Sequence, residues 1–80
     1  MNNEELKIQM RLGNKMYPIV CKREEEAIYR KAIISFNEKL KAYKKQFEGL
    51  DKIDEIDILS LTGFHFALQL LRQSNEISNP

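Results

Sequence analysis

The residue types that could carry covalent or metal chemistry are scarce in this chain. Cysteine occurs once, at Cys21, and histidine once, at His65. A zinc site needs several such ligands converging, and an activated thiolate needs a base or a positive neighbour. Neither residue has a sequence neighbour that supplies either. There is no glycine-rich phosphate loop, no nucleophile elbow and no carboxylate pair of recognisable spacing. The sequence therefore predicts a protein that is not an enzyme and takes no cofactor or metal. Its lone thiol suits a reducing compartment.

What the residues can do is dock. Lys39, Lys41, Lys44 and Lys45 crowd one stretch, and Lys7, Gln9 and Arg11 share one face of an alternating segment. The net charge is only +1, but it is unevenly spread. Residues 1–47 hold eleven Lys/Arg against six Asp/Glu, and residues 48–80 hold two against six. A basic half and an acidic half fit recognition of an acidic protein surface better than wholesale binding of nucleic acid.

The elements that position these cations follow from periodicity. LKIQMRL, residues 6–12, alternates apolar and polar, as a half-buried strand does. Gly13-Asn14 supplies a hairpin turn, and MYPIVC, residues 16–21, is the returning strand. Pro18 lacks a ladder donor, so that strand belongs at an edge or carries a bulge. A first helix is expected from near Arg23 to Phe47, with an apolar face of Ile28, Ala32, Phe36, Leu40, Tyr43 and Phe47. Glu24 to Glu26 open it and the lysines close it, matching the helix dipole, and Gly49 ends it. Its start lacks a Ser, Thr or Asp cap. A second helix is capped by Asp51 or Asp54 and runs to about Ser74, leaving Asn75 to Pro80 as a frayed end. The fold class is α+β, a β-hairpin followed by two helices (ββαα), in a single domain of residues 1–80. No leader segment is expected, and the apolar run Ile58 to Leu71 falls short of the roughly 20 residues that cross a bilayer.

The second helix has more apolar surface than this fold can hide. Ile56, Leu59, Gly63, Phe66, Ala67 and Leu70 form one stripe, and Leu61, Phe64, Leu68 and Leu71 form another about 140° away. Thr62, His65, Gln69 and Arg72 take the remaining arc, interrupted by Ile58, which puts His65 on the solvated side. A lone core is marginal at this length, and the single cysteine excludes an intrachain disulfide. The stripe through Gly63 repeats at coiled-coil spacing. It is expected to be the seam of a homodimer: Ile56, Leu59, Gly63, Phe66, Ala67 and Leu70.

The order IQMRLG, YPIVC, EEEAIYRKA, Asn37-Glu-Lys-Leu40 and DILSLTGFHFALQLL resembles the ZapA family of small bacterial cell-division proteins. The resemblance covers about residues 6 to 74. It departs from the family at Lys22-Arg23, where prolines or small acidic residues are usual, and in a short tail after Leu71. It implies a head domain with the start of a C-terminal coiled-coil helix. It also implies a non-enzymatic cytoplasmic adaptor at the division site. Such an adaptor binds FtsZ polymers and crosslinks protofilaments as a dimer, with an antiparallel tetramer as the larger alternative. The resemblance implies basic head-domain residues at the FtsZ contact without fixing which. The charge pattern offers Lys7, Arg11, Lys41, Lys44 and Lys45 for it, and no membrane attachment is expected. The alternative is a dimeric DNA-binding protein of the ribbon–helix–helix kind, whose paired strands enter the major groove. The hairpin partner, the long first helix and the low net charge weigh against it.

Overall fold

A computed structural model describes residues 4–78, with side chains placed for residues 4–74. Strand β1 (Glu5–Leu12) pairs antiparallel with β2 (Lys15–Lys22), and a 3₁₀ turn at Arg23–Glu25 leads into α1 (Glu26–Gln46) and then α2 (Glu55–Ser78). The ββαα order expected from the sequence is the one observed. The described residues form two compact units, divided within α1 between Lys39 and Leu40.

In the first unit the hairpin turns at Gly13, whose φ of 66° lies in the left-handed region. Among the described residues no other residue type has positive φ, so Asn14 does not share that duty and glycine takes the first central position, as in a type II′ turn. The alternation puts Ile8 and Cys21 into the core while Lys7, Gln9 and Arg11 stay exposed. Pro18 sits opposite Gln9 in an unbulged register, so β2 is the edge strand that its proline demands.

One side chain fastens the turn to α1. Asn37 accepts the Gly13 N–H through Oδ1 and donates through Nδ2 to the Arg11 carbonyl, both at 2.8 Å. A side-chain amide here takes the place that a third strand's peptide group would fill. At the other end of the hairpin, the Arg23 N–H donates to the Glu4 carbonyl. Replacing Asn37 with Leu removes two hydrogen bonds, one part-buried and one exposed, and at a net worth of about 0.5–1.5 kcal/mol each should cost about 1–3 kcal/mol. Asn37→Asp keeps an acceptor for Gly13 but sets a carboxylate oxygen against the Arg11 carbonyl, so it should destabilise as well. Urea unfolding followed by circular dichroism measures both.

The apolar face of α1 differs from the expected one at its start. Ile28 and Ala32 are exposed, while Tyr29, Ile33 and Phe36 turn inward ahead of buried Leu40. The reason is helical phase. Steps of four residues overshoot a full turn by about 40° each, so three such steps carry Ile28 off the face.

In the second unit α1 ends before Gly49 (φ 87°). Of the two candidate caps, Asp54 does the work. The Asp57 N–H donates to Asp54 Oδ1 at 3.0 Å, and the Asp54 N–H donates back to Asp57 Oδ2 at 3.1 Å. This reciprocal pair satisfies two donors at the helix start in the manner of a capping box. Helix α2 then continues to Ser78, four residues past the expected end, so residues 75–78 are helical. The rest of the expected frayed end, Asn79 and Pro80, lies outside the described residues.

Candidate interaction surfaces

Helix α2 turns inward a face that joins Ile58 and part of the polar arc to Leu61 and Leu68 of the second apolar stripe. Ile58 is buried, Thr62 is fully buried at 0% exposure, and Leu61, His65 and Leu68 are half-buried. Thr62 and His65, read from the sequence as solvated, therefore turn inward, while Gln69 and Arg72 of the same arc are exposed as expected. Thr62 is tolerated there because its hydroxyl donates to the Ile58 carbonyl one turn earlier, at 2.8 Å, and among the described residues no buried side-chain polar atom is left unsatisfied. His65 leaves the solvent side for an aromatic cluster. Its ring lies edge-on to Tyr43, with centroids 6.4 Å apart, and to Phe66 at 5.0 Å. Tyr43 in turn stacks on Phe47 at 6.2 Å. One sequence signal marked this arc, the apolar Ile58 among its polar residues.

The opposite side of α2 is apolar and uncovered. Ile56 is 70% exposed, Leu70 66%, Phe64 64% and Leu71 63%, with Leu59, Gly63 and Ala67 exposed among them. Phe66 is half-buried at the margin. Of the expected seam, five residues are thus exposed and one is partly engaged by His65. A Cβ built on Gly63 meets nothing within 4 Å, so no packing in the protomer requires that glycine. Contiguous apolar surface of this kind marks an interaction site on a protein of this size.

The expected cations are all exposed, in two places. Lys7 and Arg11 lie on the outward face of β1 in the first unit. Lys41, Lys44 and Lys45 lie on the last turns of α1 in the second. Lys44 is 4.0 Å from Glu55, and at 41% and 54% side-chain exposure this pair is worth at most a fraction of a kcal/mol. Beside it an open notch of about 290 Å³ runs between the end of α1 and the start of α2, with Phe47, Leu50, Ile53 and Ile58 among its lining.

Among the described residues no three His, Cys, Asp or Glu side chains converge as metal ligands. No described helix is long and apolar enough to cross a membrane. Cys21 is buried and forms no disulfide.

One comparison with known proteins gives a match. A family model described as cell division protein ZapA matches residues 8–80. No curated protein and no solved structure gives a significant match.

Proposed function

Because the chain belongs to the ZapA family of cell-division proteins, we propose that it is a non-enzymatic adaptor that binds FtsZ polymers and crosslinks their protofilaments. In this reading it acts in the cytoplasm at the division site and promotes assembly of the Z-ring. The observation that supports it best is the uncovered apolar face of α2. A protomer with one polymer-binding surface coats a filament, whereas two protomers joined along α2 carry two such surfaces and bridge filaments. Multivalency then raises the overall affinity without new contacts. The seam is formed by Ile56, Leu59, Gly63, Phe66, Ala67 and Leu70, in a coiled coil that makes a homodimer. A tetramer formed by pairing of dimers is the larger assembly compatible with it.

Binding to the acidic polymer uses the exposed cations Lys7, Arg11, Lys41, Lys44 and Lys45. The reading rests on their exposure and on charge. Reversing Lys41, Lys44 and Lys45 to Glu should abolish co-sedimentation with FtsZ polymers while light scattering still reports an unchanged assembly mass. Undiminished co-sedimentation of the triple variant would remove the α1 cations from the polymer contact. No feature of the structure favours the DNA-binding alternative.

A further inference from the structure

The outward face of the hairpin carries more than its cations. The strand register sets Lys7 opposite Val20, Gln9 opposite Pro18 and Arg11 opposite Met16, and all six are exposed. The face is therefore two strips lying side by side, about 4.8 Å apart. The strip on β1 is polar and cationic, and the strip on β2 is apolar, with Met16 45% and Val20 52% exposed. Neither Lys7 nor Arg11 reaches a carboxylate among the described residues. Their positions, four residues apart, put the two charges roughly 13 Å from each other along the strand. Glu5, opposite Lys22 at the open end, is the one carboxylate on this face.

The edges of the hairpin are poor sites for a partner, which leaves the face. The turn closed between Leu12 and Lys15 and the Arg23 N–H bonded to Glu4 fix the phase of the ladder. By alternation Gln9 and Pro18 are a non-hydrogen-bonded pair, so the Pro18 nitrogen points to the free edge of β2. A strand added there would find no donor at its centre. On the β1 edge Asn37 already occupies the Arg11 carbonyl and the Gly13 N–H. Both edges are blunted in ways that disfavour strand addition.

We propose that this two-strip face receives an acidic protein segment whose carboxylates are flanked by apolar side chains, laid along the strands. The carboxylates meet Lys7 and Arg11, and the apolar side chains cover Met16, Pro18 and Val20. The inference rests on the polymer-binding reading and deepens it, because it adds an apolar component from β2 to a contact assigned so far to charge. A nucleic-acid backbone matches the cations but leaves the apolar strip in water. That makes an acidic protein segment the better complement.

The test is co-sedimentation of the full chain with FtsZ polymers across a range of salt concentrations, using three variants. Met16→Gln/Val20→Gln should weaken binding about tenfold at every salt concentration, with its salt dependence unchanged, because apolar burial is lost and charge is not. Lys7→Gln/Arg11→Gln should flatten the salt dependence, because exposed charge pairs are what salt screens. Thermal melts and assembly mass should match the unmodified chain in both, since all four positions are exposed. Wild-type binding by Met16→Gln/Val20→Gln, with weakened binding by Lys7→Gln/Arg11→Gln, would overturn the apolar strip and leave the charge reading standing. If only Lys41→Gln/Lys44→Gln/Lys45→Gln weakens binding, the hairpin face is overturned altogether. Retention of duplex DNA that depends on Lys7 and Arg11 but not on Met16 and Val20 would also overturn it. An unmodified chain that fails to pellet removes the polymer-binding reading itself, and this surface with it.

Discussion

Leu59→Glu/Leu70→Glu should convert the assembly to protomers of 9.4 kDa while leaving each protomer folded. Both leucines lie on the exposed side of α2, at 40% and 66% exposure, so the isolated protomer loses little packing when they become charged. In a two-fold dimer every substitution counts twice, so four leucines leave the seam at once. Burying a leucine is worth about 1.5–3 kcal/mol, and a carboxylate forced into the seam adds repulsion. Even a loss of about 4 kcal/mol raises the dissociation constant roughly a thousandfold. Multi-angle light scattering checks the mass, and circular dichroism checks that the melting transition stays put. Phe66→Glu is a less clean test of the same seam. Phe66 is half-buried against the His65 ring, so its loss mixes damage to the protomer with damage to the interface. Arg72→Glu, at an exposed polar position, should leave the mass unchanged.

Thr62→Lys should have the largest effect on the fold itself. Thr62 has no exposure, and its one polar atom is satisfied within the helix. A lysine there must either bury an unpaired ammonium or force the helix away from what covers it. The cost should be about 3 kcal/mol or more. A chain of this length holds only about 4–12 kcal/mol in total, so the variant should be largely unfolded at temperatures the parent survives. Thr62→Val is the control. The Ile58 carbonyl keeps its helical N–H partner, so loss of the hydroxyl should cost within about 1 kcal/mol. Urea denaturation separates the two variants. Equal stability of Thr62→Lys and the parent would restore the solvated placement of this arc and remove the inward face described for α2.

These two substitutions mark where sequence and structure part company. The hairpin was legible because strict alternation in LKIQMRL leaves one register in which the apolar set is buried. Gly13 and Pro18 then placed the turn and the edge strand. The dipole-matched charges and Gly49 placed α1, and the candidate caps Asp51 and Asp54 placed the start of α2, with the choice of Asp54 made only by its hydrogen bonds with Asp57. The inward face of α2 was hidden by residue type. A helix wheel sorts Thr62 and His65 as polar, but threonine hides its hydroxyl against its own backbone and histidine offers a flat ring to Tyr43. Asn37 was hidden for the same reason. Its role appears only when α1 lies beside the turn and its amide substitutes for a strand.

The exposure of the cations was legible, since alternation put Lys7 and Arg11 outward, and Lys41, Lys44 and Lys45 near the end of α1 are solvent-facing as well. The apolar strip on β2 escaped notice because it belongs to the pairing between strands rather than to either strand alone. The apolar surplus on α2 was legible in amount. Its position became clear only once Thr62 and His65 of the polar arc were seen to turn inward. The surplus then joins into one broad outward face, from Leu59 and Leu70 across Ile56 and Ala67 to Phe64 and Leu71.

The central claim is that assembly along α2 creates the two-headed crosslinker. It is tested most directly by measuring the solution mass at micromolar concentration together with the scattering of FtsZ polymers when the protein is added. The account predicts a mass of at least two protomers and a rise in polymer scattering that Leu59→Glu/Leu70→Glu abolishes. A mass of 9.4 kDa for the unmodified chain, with polymer scattering that rises all the same, would contradict it.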